Sequence, residues 1–391
     1  MPAQDALDLR FKASFVWEAR HTRKTDVHYM SLALELAQRG CGWTSPNPMV
    51  GAVLVKDGEI IGQGWHRRCG ELHAEREALA ACTRSPAGST LYVTLEPCCH
   101  QGRQPPCTDA ILEAGIARVV VGSTDPNPLV AGRGLAILRA HGVQVDTGVF
   151  GEACDALNRV FFHYIRTGRP YVVLKYAMTL DGKTATRTGA SKWITGEEAR
   201  RQVHRDRHRY SAILAGIGTV LADDPLLTCR LEGGRNPLRV ICDSALRLPL
   251  RSSLVKTARE VPTVVAAAQA DPSRRAALEG AGCRVWELPD PDGKVDLPGL
   301  LDRLGKEEID SLLVEGGAAV AGAFLSAGLV QKVQAYIAPK LFGGAAAPSP
   351  VGGLGVALPE EALRLGGLTV TRLGDDILLE GEVEAHVHGS D

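Results

Sequence analysis

Two stretches decide how this chain is read: Leu72-His73-Ala74-Glu75, and Thr94-Leu95-Glu96-Pro97-Cys98-Cys99-His100-Gln101-Gly102-Arg103-Gln104-Pro105-Pro106-Cys107. Leu91–Leu95 is an apolar run of strand length, and Cys107 opens a helical segment to Glu113. Gly102, Pro105 and Pro106 make the interval between them a loop. One imidazole and two thiolates, at His73, Cys98 and Cys107, are good zinc ligands. A structural zinc takes four protein ligands, whereas three leave a position for water. Zinc lowers that water's pKa to about 7, and Glu75 then has a task other than ligation, carrying protons from the water to a substrate. Residues two apart on a helix point about 200° apart. His73 and Glu75 therefore share a site only where a helix begins, and Gly70 supports a turn there.

The order His-x-Glu, Pro-Cys, Cys matches the signature of zinc nucleobase deaminases. The departure is spacing, with eight residues between the cysteines instead of two. Cys99 and His100 are alternative ligands, and Cys99 is expected to pack inward as a neutral neighbour. Cys41, Cys69, Cys82 and Cys154 have no partner spacing and read as core.

Working outward, the segment from Asp26 to Gly168 alternates helices and strands. Asp26 is the expected N-cap of a helix through Ala37. Strands are expected at Val50–Val55, from Ile60, and at Leu91–Leu95, Arg118–Gly122 and Val143–Val145. Helices are expected at His73–Ala81, Cys107–Glu113 and Leu135–Ala140. The pattern predicts a three-layer α/β domain. Thr167-Gly168-Arg169-Pro170 is the linker candidate, which divides the chain into an extension (1–25), a first domain (26–168) and a second (169–391). In the second, strands are expected at Tyr171–Lys175, Ala212–Ala215, Leu238–Cys242, Thr263–Ala267, Arg284–Leu288 and Ser311–Val314. A terminal hairpin turns at Gly374-Asp375-Asp376, and together these predict a mixed sheet with flanking helices. Thr195 and Glu198 have the spacing of a capping box. The basic run from Arg200 to Arg209 reads as a solvated helix face with Arg207 turned inward.

The chain has 391 residues, long enough for two domains. Lys+Arg total 44 and Asp+Glu 45, so no excess positive charge exists to hold a phosphate backbone, and a nucleic-acid partner is not expected. No apolar stretch reaches the roughly 18 residues of a membrane helix. The charged N-terminus has no signal-peptide core, and His386 and His388 read as exposed tail residues. Ten cysteines without an export signal fit reduced thiols in the cytoplasm.

Gly64-Trp65-His66, Gly70–Glu75 and Thr94–Cys107 resemble the bifunctional riboflavin-biosynthesis deaminase/reductase family, as do Ser45–Gly51, Asp125-Pro126-Asn127-Pro128 and Gly132-Arg133-Gly134. The resemblance spans about Asp26 to Glu382. It implies a cytidine-deaminase-like domain followed by a dihydrofolate-reductase-like one. The implied cofactors are one zinc per chain and NADPH, and the substrate is a small, nucleotide-like diaminopyrimidinone ribosylamine phosphate, deaminated and then reduced to a ribityl product. The deaminase pocket would be lined by Asn47, His66, His100 and Arg103. In the reductase half, Ser191, Arg207, Leu227, Arg230 and Glu315 would contact substrate, with Lys175 in the same pocket. Ala177, Trp193, Thr219, Asp223, Ser244 and the turn Gly317-Ala318-Ala319-Val320-Ala321-Gly322-Ala323 would contact NADPH. That turn follows Leu312–Val314 as strand, Gly-Gly and helix start, a phosphate-holding arrangement, and no GxGxxG opens the domain. Self-association through the C-terminal domain, as dimer or tetramer, is expected. Three rivals stay open: a nucleic-acid deaminase; a closed four-ligand zinc module, with Cys99 and no use for Glu75, joined to a nucleotide-sensing domain; and a chain in which one half has lost its activity, although neither half shows erosion.

Overall fold

The computed structural model describes residues 24–102 and 104–384. Most of the 1–25 extension, Arg103, His386 and His388 lie outside the described residues. The chain divides into two compact units at Gly168/Arg169.

The first unit is a five-stranded sheet in the order β2-β1-β3-β4-β5. Its strands are β1 (Gly51–Lys56), β2 (Glu59–Trp65), β3 (Thr90–Leu95), β4 (Arg118–Ser123) and β5 (Gln144–Thr147). β1 runs antiparallel to β2 and β3, while β3, β4 and β5 are parallel. Alternation along the strands builds two cores. Ala52, Leu54, Leu91, Val93, Val119 and Val121 meet α2 (Ala74–Ala80), α3 (Cys107–Glu113) and α4 (Arg133–Ala140) on one face. Val53, Val55, Tyr92 and Val120 meet α1 (Lys24–Gln38) and α5 (Gly151–Leu157) on the other. The unit is thus a three-layer α/β/α sandwich. α5 and the following α6 (Arg159–Thr167) are elements to which the sequence pattern assigned nothing.

Asp26 is not an N-cap, because α1 begins two residues earlier. Its carboxylate is buried and accepts from the Tyr92 hydroxyl at 2.8 Å and from both Arg118 amino groups at 2.8 and 2.9 Å. That pairing joins α1 to β3 and β4 and supplies the opposite charge a buried carboxylate needs. Cys154 is buried as expected of core, whereas Cys41, Cys69 and Cys82 are only half-buried.

The second unit is a nine-stranded sheet, β10-β9-β8-β7-β11-β6-β12-β14-β13. In chain order the strands are β6 (Tyr171–Thr179), β7 (Ala212–Gly216), β8 (Leu238–Cys242), β9 (Thr263–Ala267), β10 (Arg284–Glu287), β11 (Ser311–Glu315), β12 (Lys332–Ala338), β13 (Leu365–Leu373) and β14 (Asp376–Val383). The seven from β10 to β12 are parallel, and β14 and β13 close that side antiparallel, giving the mixed sheet. α7 (Glu197–Arg209) leads into β7, α8 (Ile217–Asp223) leaves it, and α12 (Ala318–Ser326) leaves β11. Between them in chain order lie α9 (Ser253–Lys256), α10 (Pro272–Gly280) and α11 (Leu297–Lys306).

The Thr195–Glu198 capping box does not form. Gly196 is the N-cap of α7 and has no side chain to offer; its own N–H donates to Asp376 Oδ2 at 2.6 Å, tying the helix start to the terminal hairpin. Nor is the basic run a solvated face. Only Arg201 is exposed, while the Arg200 guanidinium lies 4.7 Å from the Trp193 ring and donates to the Thr195 carbonyl.

Candidate active sites

In the first unit three donor atoms converge. His73 is the N-cap of α2 with extended backbone (φ −73°, ψ 159°), so its side chain leaves the chain before helical spacing applies to it. Cys98 follows β3, and Cys107 is the first residue of α3. His73 Nδ1 is 3.5 Å from Cys98 Sγ and 3.4 Å from Cys107 Sγ, and the three ligand atoms all lie within 4.8 Å of one another. Glu75, in the first turn of α2, is buried beside them. The extended N-cap is what lets residues two apart serve one site.

The loop that carries Cys98 is fastened from several sides. The Cys107 N–H donates to Cys98 Sγ at 3.4 Å, and Arg76 Nη2 donates to the Pro106 carbonyl at 2.8 Å. Glu96, buried just before Pro97, accepts from the N–H groups of Gly132, Gly134 and Leu135 and so anchors the start of α4. A Cβ at Gly134 would stand 2.3 Å from the Pro97 carbonyl oxygen, so only glycine lets α4 approach the loop this closely. Glu96 carried no expected role; its place directly before Pro97-Cys98 was its only trace in the sequence.

The electrostatics suit a soft cation. The hydrogen bond from Cys107 lowers the Cys98 thiol to about 4 against the opposing effect of burial, while the same bond pushes the Cys107 thiol well up. A divalent cation bound here would displace the thiol proton and hold both sulfurs as thiolates. One nitrogen and two sulfurs at this spacing fit zinc. Burial first, and then the neighbouring Cys98, raise the Glu75 carboxyl above its ordinary value.

His66 is buried, with its ring edge-on to His73 at 5.4 Å between centroids. Its Nδ1 faces the Leu72 carbonyl at 3.0 Å, which places the proton there and leaves Nε2 to accept from Asn47 Nδ2 at 3.2 Å. Burial lowers its pKa, which favours this neutral form. His100 Nδ1 is buried without a hydrogen-bond partner among the described residues. Cys99 is only half-buried, its thiol on the Leu129 carbonyl at 3.7 Å, and is not part of the three-residue cluster. Asp125 is a further buried carboxyl, which burial pushes to about 6.

In the second unit three of the expected substrate residues, Arg207, Lys175 and Glu315, meet where the last residue of β11 pairs with the middle of β6. Arg207, on α7, donates from Nε and Nη2 to the Glu315 carboxylate at 2.9 and 2.6 Å and from Nη1 to the Thr228 carbonyl at 3.1 Å. Its Nε–Nη2 edge is thus engaged by Glu315, and Nη1 is tied to the Thr228 carbonyl. Lys175 Nζ is 3.7 Å from Glu315 Oε2 and 5.4 Å from the centroid of the Tyr336 ring. The Tyr336 hydroxyl donates to the buried Asp206 at 2.6 Å. Tyr336 and Asp206 were not legible as site neighbours, because a lone Asp in a basic helix carries no motif. Burial and the nearby Arg207 lower the Arg230 pKa. Leu227 is buried with φ 51°, between the Leu226 and Thr228 carbonyls that arginines hold.

The expected cofactor residues follow the same edge. Gly316 and Gly317 have φ 108° and 88°, and Gly317 caps α12, so the chain turns there with its amides free of side chains. Positions for a Cβ on them lie 3.2 and 3.4 Å from the Thr219 hydroxyl. Ala318–Ala323 form the first turns of α12. Ser191 Oγ donates to Asp223 Oδ1 at 3.3 Å. Ala177 pairs with Tyr336 in the sheet, Trp193 is exposed, and Ser244 follows β8. A glycine cradle at a helix start beside a threonine fits a dinucleotide phosphate.

An α/β/α sandwich holding a His-Cys-Cys cluster beside a buried glutamate, joined to a parallel-centred sheet with a glycine phosphate cradle, defines a two-part enzyme that pairs a deaminase with a reductase. Residues 23–123 match the family described as cytidine and deoxycytidylate deaminase zinc-binding region, and residues 170–379 match the RibD C-terminal domain. The chain is 51% identical to the riboflavin biosynthesis protein RibD of Actinobacillus pleuropneumoniae over 91% of its own length and 95% of that protein's. It superposes on RibD of Acinetobacter baumannii with a TM-score of 0.83 at 39% identity, covering 93% of this chain and 99% of that one. A diaminohydroxyphosphoribosylaminopyrimidine deaminase/5-amino-6-(5-phosphoribosylamino)uracil reductase from Thermotoga maritima superposes at 0.81 with 38% identity, covering 92% and 99%. The chain belongs to the RibD family, the bifunctional deaminase/reductases of riboflavin biosynthesis. No helix among the described residues is long and apolar enough to cross a membrane.

Proposed function

We propose that residues 26–168 hydrolytically deaminate 2,5-diamino-6-ribosylamino-4(3H)-pyrimidinone 5′-phosphate, and that residues 169–391 then reduce the ribosyl group with NADPH to give 5-amino-6-ribitylaminouracil 5′-phosphate. The observation that carries this is the convergence of His73, Cys98 and Cys107 with buried Glu75. These three residues would hold one zinc, which supplies a water acidic enough to attack at neutral pH. Glu75, its carboxyl raised by burial, takes the proton from the attacking water and delivers it to the departing amino group. Asn47, ordered by neutral His66, presents its amide to the pyrimidine, and His100 and Arg103 serve the phosphate end. The test is joint measurement of bound zinc and ammonia release with this substrate; catalysis in metal-free protein overturns it.

In the second unit, Gly317–Ala323 with Ala177, Trp193, Thr219, Asp223 and Ser244 would hold NADPH, which supplies a hydride to C1′ of the ring-opened sugar. Ser191, Leu227 and Arg230 would position the substrate, with Arg207 orienting Glu315 by its two-pronged contact. Lys175 is the cluster member suited to yield a proton, since burial lowers its pKa while an arginine stays charged. Self-association is proposed through β13, the outermost strand, where Leu368 and Val370 are exposed. Sedimentation at micromolar concentration tests this, and a monomer refutes it. A cytoplasmic location fits a catalyst of small phosphorylated metabolites, and cell fractionation checks it.

A further inference from the structure

The turn after β8 is built around one exposed cation. Leu246 and Leu248 are buried, and Arg247 between them is 59% exposed. Arg274, from α10, donates to the Leu246 carbonyl at 3.2 and 3.1 Å and to the Leu248 carbonyl at 2.7 Å. From the other side, Asp243 Oδ2 accepts from the Leu248 N–H at 2.7 Å, and the Asp243 carbonyl accepts from the Leu246 N–H at 3.1 Å. Leu246 takes φ 48° to complete the turn. The Ser244 carbonyl accepts from both Ala268 and Gln269, so the start of the turn is pinned to the end of β9. Five residues are held this firmly, and the charged side chain they present to solvent is Arg247.

Its ion pair is weak. Arg247 Nε lies 3.5 Å from Asp243 Oδ1, an oxygen that makes no hydrogen bond. The contact orients the guanidinium by one edge and leaves its two amino groups for another acceptor. The glycine cradle follows β11, and the order β11-β7-β8 puts the Arg247 turn two strands away on the same C-terminal edge. Parallel neighbours are spaced about 4.8 Å apart, so the offset is about 10 Å. That is the scale of a dinucleotide's adenosine half laid from its pyrophosphate across the strand ends, where ligands of open parallel sheets bind.

We propose that Arg247 reads the 2′-phosphate of the cofactor and so sets the choice of a phosphorylated over an unphosphorylated nicotinamide dinucleotide. The inference rests on the reductase reading above and adds the specificity residue to it. A charge-assisted contact of this kind is equivalent to roughly 10- to 100-fold in affinity.

The test uses the full chain, with adenosine 2′,5′-bisphosphate and 5′-AMP as probes in calorimetry and steady-state KM values for NADPH and NADH. Arg247→Ala is expected to weaken the bisphosphate roughly 10- to 100-fold and leave 5′-AMP unchanged. It is expected to raise the KM for NADPH by the same factor with kcat and the NADH values preserved. Arg251→Ala, a control on the next exposed cation, should change neither probe. An unchanged preference in Arg247→Ala, or a preference lost in Arg251→Ala instead, overturns the assignment while leaving the reductase intact. A wild-type chain that oxidises neither dinucleotide with the deaminated substrate overturns the reductase reading, and this inference with it.

Discussion

Glu75→Gln separates ligand from proton carrier. The substitution is nearly isosteric, so the start of α2 and the approach of His73, Cys98 and Cys107, within 4.8 Å of one another, should survive it. What it removes is a carboxyl that burial and Cys98 have raised above its ordinary value, a shift toward the operating pH where proton transfer is most effective. Positioned proton transfer contributes roughly 10²–10⁴-fold to rate, or about 2.7–5.5 kcal/mol of barrier. Ammonia release by the purified variant should fall by that factor. Zinc should stay near one per chain by plasma emission, and reduction of pre-deaminated substrate should be unchanged. Cys98→Ser, in contrast, should lose zinc and deamination together. Wild-type ammonia release from the Gln variant would refute the role of Glu75, and loss of its zinc would show that Glu75 belongs to the metal site instead.

Arg207→Ala removes both prongs from a buried carboxylate; breaking such a pair costs about 3–5 kcal/mol, so a lower melting temperature and a raised substrate KM are expected together, and Arg207→Lys should not restore the two-pronged contact. Glu315 is raised by burial but lowered more by Arg207 and Lys175, to about 2. A carboxyl depressed in the folded state stabilises above its unfolded pKa, so about 3 kcal/mol should be lost as pH falls from about 4.5 toward about 2, and Glu315→Gln should flatten that part of a melting-versus-pH curve. Gly134→Ala forces a Cβ onto the Pro97 carbonyl, 2.3 Å away, and should weaken zinc retention and deamination while the reductase continues; equal zinc affinity in the variant would contradict the close fit of α4 on the cysteine loop.

Much of this protein was written in its local sequence. The cysteine loop, the strand alternation of β1, β3 and β4, and the strand–Gly-Gly–helix at Glu315–Ala318 are short-range patterns, because strand period, proline, glycine and ligand spacing act over a few residues. The family resemblance supplied the candidate pocket residues by position. Tertiary structure alone decided which charges meet. Asp26 had the spacing of an N-cap and became the buried partner of Arg118, 92 residues away. Arg207 was read as the one inward-turned arginine of a basic helix, and packing joins it to Glu315, 108 residues away. Thr195 had a capping-box partner, yet the helix start is held by Asp376, 180 residues away. Arg247 gained its setting only when Arg274 closed the turn. The physical reason is common to all four. A charged or hydrogen-bonding group takes whichever partner removes it from water at least cost, and chain packing, which local sequence does not encode, decides which partner is near.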